Sequence, residues 1–166
     1  LAYFEHSKFF NFIYSFFYKT LMRFSYSRIE KIITVSNFTK NEAHKILGKR
    51  EISIVNNSYN HLINAKPSEC HTTLKHDNFI LTVGSIDPRK NLNHILKNFL
   101  DLKNDTKLVI IGTKNKVFKT FINENQIKSE NIIFTGFITD ELLREYYKQC
   151  LCFISASHYE GFDIPA

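Results

Sequence analysis

Two stretches of the 166-residue chain hold the residue types that could do chemistry. The first, Val83-Gly84-Ser85-Ile86-Asp87-Pro88-Arg89-Lys90-Asn91-Leu92, sets adjacent cations between an apolar run and a helical pattern. The start of a helix also offers free N–H groups and a positive dipole end, so Arg89 and Lys90 are suited to a diphosphate. The second, Ser155-Ala156-Ser157-His158-Tyr159-Glu160-Gly161-Phe162-Asp163-Ile164-Pro165, puts the Glu160 carboxylate beside backbone amides opened by Gly161. That pairing fits sugar hydroxyls. Taken singly, an Arg-Lys pair is ordinary surface charge and a loop Glu is unremarkable. The seven histidines show no paired spacing with Cys or carboxylates, so no metal site is expected. Neither G-x-G-x-x-G nor the P-loop pattern occurs, which disfavours those two phosphate sites.

The elements that must position these residues are marked by glycines. Gly84 follows FILTV, Gly112 follows LVII, Gly136 follows IIFT and Gly161 lies beyond CFISAS, at intervals of 28, 24 and 25 residues. A strand and a crossover helix together need about that length. Between the strands, Leu92, Ile95, Leu96 and Phe99 recur at helical spacing. Thr139 ahead of Asp140 and Glu141 reads as a helix start, with Leu142, Leu143, Tyr146 and Tyr147 as its apolar side. Strand runs that are apolar throughout imply burial on both faces, hence an α/β fold with a parallel sheet flanked by helices. Ligands of such sheets sit beyond the carboxyl ends of the strands, and all four glycines are expected at that edge.

Upstream, KIITVS, NFTKNEAHKIL and ISIV read as strand, helix and strand, with Ser36 or Asn37 as cap. Residues 56–78 are polar, contain Pro67 and show neither period, which reads as a connection between two lobes. Near the start, Phe9, Phe12, Ile13, Phe16, Phe17, Leu21 and Phe24 form one helical stripe, with Phe10, Tyr14 and Tyr18 beside Lys8, Lys19 and Arg23 as a second. This helix either lies on a membrane surface or packs into the rest of an N-terminal domain; no run is long enough to span a bilayer. Cys70, Cys150 and Cys152 read as free thiols of a reducing, cytoplasmic compartment. The net charge of +6 favours acidic partners, among them nucleotides, phosphosugars, nucleic acid and an anionic membrane face, without choosing between them. A chain that begins with Leu1 and stops at Ala166 is expected to be a piece of a longer protein.

Taken in order, VGSIDPRKNLNHIL, LVIIGTKN, NIIFTGFITDELLREYYKQC and CFISASHYEGFDIP resemble the C-terminal nucleotide-sugar domain of family 4 glycosyltransferases, which have the GT-B fold. KIITVSNFTKNEAHKIL and ISIVNNSYN resemble the end of those enzymes' N-terminal domain. The resemblance covers roughly residues 30–166. It implies a partial GT-B architecture: 1–56 from the N-terminal acceptor domain, 57–77 as linker, and 78–166 as a Rossmann-like donor domain. Position by position, Arg89 and Lys90 match the pair that holds the donor diphosphate, and Gly84 the glycine that opens its loop. Glu160 matches the first glutamate of the E-x7-E motif, which contacts the transferred sugar. Gly161, Phe162 and Asp163 match the segment beside sugar and phosphate, and Gly136 and Phe137 the turn near the nucleobase. The chain departs from the family in three places: Ser85 stands where Arg is common, Asp163 where Gly is common, and the second glutamate would fall beyond Ala166.

The function implied is a retaining, metal-independent glycosyltransferase without cofactor. Its donor would be GDP-mannose, from the likeness of the PRKN loop to bacterial mannosyltransferases of O-antigen assembly, or a UDP-sugar. Its acceptor would be lipid-linked or a polysaccharide, with peripheral contact at the inner face of the cell membrane and no nucleic acid partner. A GT-B epimerase of nucleotide sugars, or a nucleotide-binding module without turnover, are the alternatives.

Overall fold

The computed structural model describes residues 12–48, 50–64, 78–84, 87–102, 105–112, 130–163 and 165. They form two compact units: those of Leu1–Ser58 with those of Tyr159–Ile164, and those of Tyr59–His158 with Pro165.

The first unit contains helix α1 (Phe12–Arg28), strand β1 (Ile32–Thr34), helix α2 (Asn37–Leu47) and strand β2 (Ile52–Ile54). β1 and β2 pair in parallel, Ile32 opposite Ile52 and Thr34 opposite Ile54, so α2 is the crossover that parallel pairing requires. Ser36, in extended conformation, caps α2 by accepting from Thr39 N at 3.1 Å. Helix α1 forms over the aromatic stripe, and among its residues Phe12, Ile13, Phe16, Phe17 and Phe24 are each more than half exposed. Phe9 and Phe10 lie outside the described residues.

The second unit runs α3 (Asn60–Asn64), β3 (Phe79–Val83), a 3-10 turn (Pro88–Lys90), α4 (Leu92–Leu100), β4 (Lys107–Ile111), β5 (Ile132–Gly136), α5 (Asp140–Gln149) and β6 (Cys152–Phe153). All sheet pairs are parallel and the strand order is β5-β4-β3-β6. The period of two sorts β4 between two cores. Leu108 and Ile110 pack with Leu92, Ile95, Leu96 and Phe99 of α4. Val109 and Ile111 pack with Phe79, Leu81 and Tyr146 on the α5 side. Phe79, Leu81, Leu108 and Val109 are fully buried, each contributing about 1.5–3 kcal/mol by leaving water. Thr139 caps α5, as its Thr-Asp-Glu start predicts.

Three expectations change. The segment 57–77 opens with the helix Asn60–Asn64, whose polar sequence gives no apolar period to read; residues 65–77 lie outside the described set. CFISAS is strand only at Cys152–Phe153, because only Ile80 and Leu81 of β3 pair with it before Ser155 and Ser157 turn to the sheet edge. Gly161, read with the glycines that follow the strands, groups with the first unit.

Candidate functional site

The strand order fixes where a ligand can enter the second unit. From β3 the chain steps outward to β4 and β5 and then returns to the other side of β3 as β6, so the order reverses between β3 and β6. The loops leaving two strands at such a point diverge and open a crevice beyond their carboxyl ends. A small cavity of about 20 Å³ lies there, bordered by Val83, Gly84, Lys90, Ser155 and Ser157. A wider groove of about 610 Å³ lies along Ile80, His94, Phe99 and Ile154. That groove lines the sheet face instead of the strand ends, and its lining carries the Asp101 carboxylate and neither Lys nor Arg, which suits a diphosphate poorly. The small cavity is therefore the better candidate.

Gly84 leaves β3 with φ +147°, a conformation that favours glycine, while its N–H donates to Ile111 O at 2.8 Å. A Cβ there would stand 3.4 Å from Lys90 Cε, so the Lys90 stem runs directly over the glycine. The chain then makes the 3-10 turn, where Lys90 N donates to Asp87 O at 2.9 Å. His158 N donates to Arg89 O at 2.8 Å, which ties this turn to the loop after β6. Ser85 lies outside the described residues.

Arg89, one of the two cations expected at the diphosphate, also has a partner within the turn. Asp87 Oδ1 accepts from Arg89 N at 2.8 Å and from its Nε at 3.0 Å, and Oδ2 accepts from Nη2 at 2.8 Å. The guanidinium is thus fixed in direction and partly neutralised by a fork-on-carboxylate pair. These side-chain bonds from Arg89 hold the Asp87 carboxyl below its ordinary range, with partial burial opposing and the Arg89 N–H and the Lys90 charge assisting. Asp87 is the residue the sequence reading missed; the Asp-x-Arg spacing within a turn was the available signal.

At the same sheet edge Gly136 closes β5 with φ +77°. Ile110 faces Phe134 and Ile111 faces Gly136, so Thr135 is the extra residue of a bulge that bends the strand's end. Phe137 follows, its side chain 85% exposed, and β4 separates this corner from Gly84.

Glu160, Gly161, Phe162 and Asp163 are described with the first unit. The Gly161 carbonyl accepts from Thr39 Oγ1 at 2.8 Å and from Ser36 Oγ. The ring of Tyr159 meets Phe38 edge to face at 5.5 Å between centroids. Asp163 has φ +56°, the left-handed region, which accounts for glycine being the residue the resemblance expects there.

With all its strands parallel and helices packed on both faces, the described sheet has the Rossmann-like form expected of part of a GT-B architecture. Residues 68–166 match the family described as glycosyl transferases group 1, and the chain belongs to that family. It is 26% identical over 149 residues to O-antigen chain mannosyltransferase B of Escherichia coli, covering 81% of this chain and 39% of that protein. It is 36% identical over 89 residues to N-acetylgalactosamine-N,N'-diacetylbacillosaminyl-diphospho-undecaprenol 4-alpha-N-acetylgalactosaminyltransferase of Campylobacter jejuni, covering 52% of this chain and 23% of that protein. Among solved structures, Anabaena HepE in complex with UDP and glucose shares the fold with a TM-score of 0.68 at 12% identity, covering 87% of this chain and 43% of that one. The chain spans less than half the length of each of these relatives.

Proposed function

We propose that this chain provides the donor half of a retaining, metal-independent glycosyltransferase that moves a hexose, mannose first, from a nucleoside diphosphate to a lipid-linked or polysaccharide acceptor. The observation that carries the reading is the Gly84–Lys90 turn at the switch point of the sheet, in a member of a transferase family. Mannose is favoured by the mannosyltransferase names of relatives, and a lipid-linked acceptor by the undecaprenol relative. GDP-mannose and UDP-sugars both remain donors to be tested, the latter because HepE was solved with UDP and glucose.

In this reading the diphosphate sits at the Gly84–Lys90 turn, where the missing side chain leaves room for the Lys90 stem to cross the glycine and bring its ammonium to the phosphates. Lys90 supplies a compact point charge and Arg89 a direction-fixed planar one. As the sugar–phosphate bond lengthens, negative charge grows on the leaving diphosphate and positive charge on the flattening sugar ring. The cations and the N-terminal amides of α4 stabilise the first, and the Glu160 carboxylate the second. Phe137 and Gly136 border the nucleobase. The protein works in the cytoplasm, with the exposed aromatic and basic helix α1 making peripheral contact with the inner face of the membrane.

Calorimetry with paired ligands tests the diphosphate assignment. Lys90→Ala should weaken GDP or UDP about tenfold to a hundredfold, the value of a charge-assisted bond to phosphate, and leave guanosine or uridine unchanged. Equal losses for diphosphate and nucleoside would remove Lys90 from the phosphate site.

A further inference from the structure

The geometry points to Ser36 and Thr39 as positioning residues for Glu160, an inference that rests on the sugar-contact role proposed for that carboxylate. The first turn of α2 fulfils its own needs with a single group, since the Ser36 oxygen accepts the Thr39 N–H and closes the cap. Nothing in helix capping calls for the second hydroxyl. Thr39 Oγ1 nevertheless donates at 2.8 Å to the carbonyl of Gly161, the residue directly after Glu160, and Ser36 Oγ donates to the same oxygen. Two hydroxyls, 3.2 Å from one another, converge on one carbonyl, which restrains the peptide that follows Gly161.

The remaining contacts constrain the same short segment. Tyr159, directly before Glu160, rests its ring against Phe38 at 5.5 Å. A Cβ on Gly161 would stand 3.3 Å from Thr39 Oγ1 and 4.0 Å from Val35 Cγ2, so any side chain there would crowd the α2 cap. Glu160 is thereby flanked on both sides in sequence by residues held to one helical turn. A carboxylate that must face a ring carbon as positive charge develops gains from that restraint, because a loose loop would spread it over rotamers and positions that do not stabilise the transition state. Through the loop, Ser36 and Thr39 set the direction from which Glu160 acts; neither touches the reacting atoms.

The test is a double-mutant cycle in the active transferase containing this chain, with melting temperature, GDP and UDP affinity, donor KM and kcat measured on every variant. Thr39→Val keeps the side-chain shape, removes the donor and leaves the Ser36 cap in place. It should lower kcat about tenfold with Glu160 present and less than about twofold in the Glu160→Gln background, with donor KM and nucleotide affinity unchanged. Thr39→Ser, which restores the hydroxyl, should restore kcat. Gly161→Ala provides an independent variant: by pressing on Thr39 Oγ1 it should give the same kcat loss and add little to Thr39→Val. Equal losses in both Glu160 backgrounds, or losses that follow melting temperature and KM together, would reduce the pair to a structural cap and overturn the inference. Glu160→Gln at the wild-type rate would instead overturn the sugar-contact reading beneath it.

Discussion

At the residue scale, the site's most informative group is the carboxylate that sequence reasoning passed over. Asp87 accepts three bonds from Arg89, and its folded-state pKa is held below the ordinary value of 3.8. The contribution of a group whose folded pKa is depressed is present above its unfolded pKa and is lost as pH falls through the folded one. The turn is therefore expected to hold at neutral pH and to release Arg89 as pH falls below the ordinary aspartate range. Carbon-detected NMR titration should place the Asp87 midpoint below that of an unperturbed aspartate, and Arg89→Ala should move it up toward the ordinary range; an unmoved midpoint would show that the pair does not persist in solution. The same scale explains what the sequence concealed. Arg89 and Lys90 were legible as cations, but their division of labour depends on Asp87 meeting the guanidinium and on the Lys90 stem crossing Gly84, and both are matters of backbone angle.

At the element scale, strands and helices were legible wherever burial forces a period. FILTV, KLVII and IIFTG are apolar because helices cover both of their faces, and Leu92, Ile95, Leu96 and Phe99 mark the covering side of α4. Where burial is slight, the signal fades. Asn60–Asn64 is a single polar turn, and Cys152–Phe153 is cut short by the serines that border the cavity. The bond from Ser36 to Gly161 joins residues 125 positions apart, and no local pattern encodes such a partner. A contrast of two substitutions separates the roles of core and edge. Leu81→Ala, at a side chain with no exposure, should cost about 2–5 kcal/mol in denaturant unfolding. Phe137→Ala, 85% exposed, should stay within about 0.5 kcal/mol of wild type and still weaken nucleotide binding. A wild-type affinity for Phe137→Ala would take that ring out of the nucleobase corner.

At the scale of the whole molecule, α1 and the course of the chain between units matter most. No described helix is long and apolar enough to cross a membrane, yet α1 exposes Phe12, Phe16, Phe17 and Phe24 beside Lys19, Arg23 and Arg28. Sedimentation should bring the chain down with vesicles containing anionic lipid more than with zwitterionic ones, with salt and a Lys19→Gln/Arg23→Gln variant each weakening the effect. Indifference to both vesicle types would assign the aromatic face to protein packing instead. The chain's course has a different outcome. It leaves the first unit at Ser58, builds the whole parallel sheet, and only then supplies Tyr159–Ile164 to the first unit before Pro165 returns to the second. On a ribosome, the α2 turn emerges early and waits through the synthesis of every strand of the sheet for the carbonyl that its hydroxyls hold, so the hydroxyl clamp is a late event in the life of each molecule. Pulsed hydrogen exchange during refolding should therefore find the amides of Leu81, Val109 and Ile110 protected before those of residues 159–163. Chains truncated before Tyr159 and released should carry a formed sheet and an α2 turn whose serine and threonine are still hydrated.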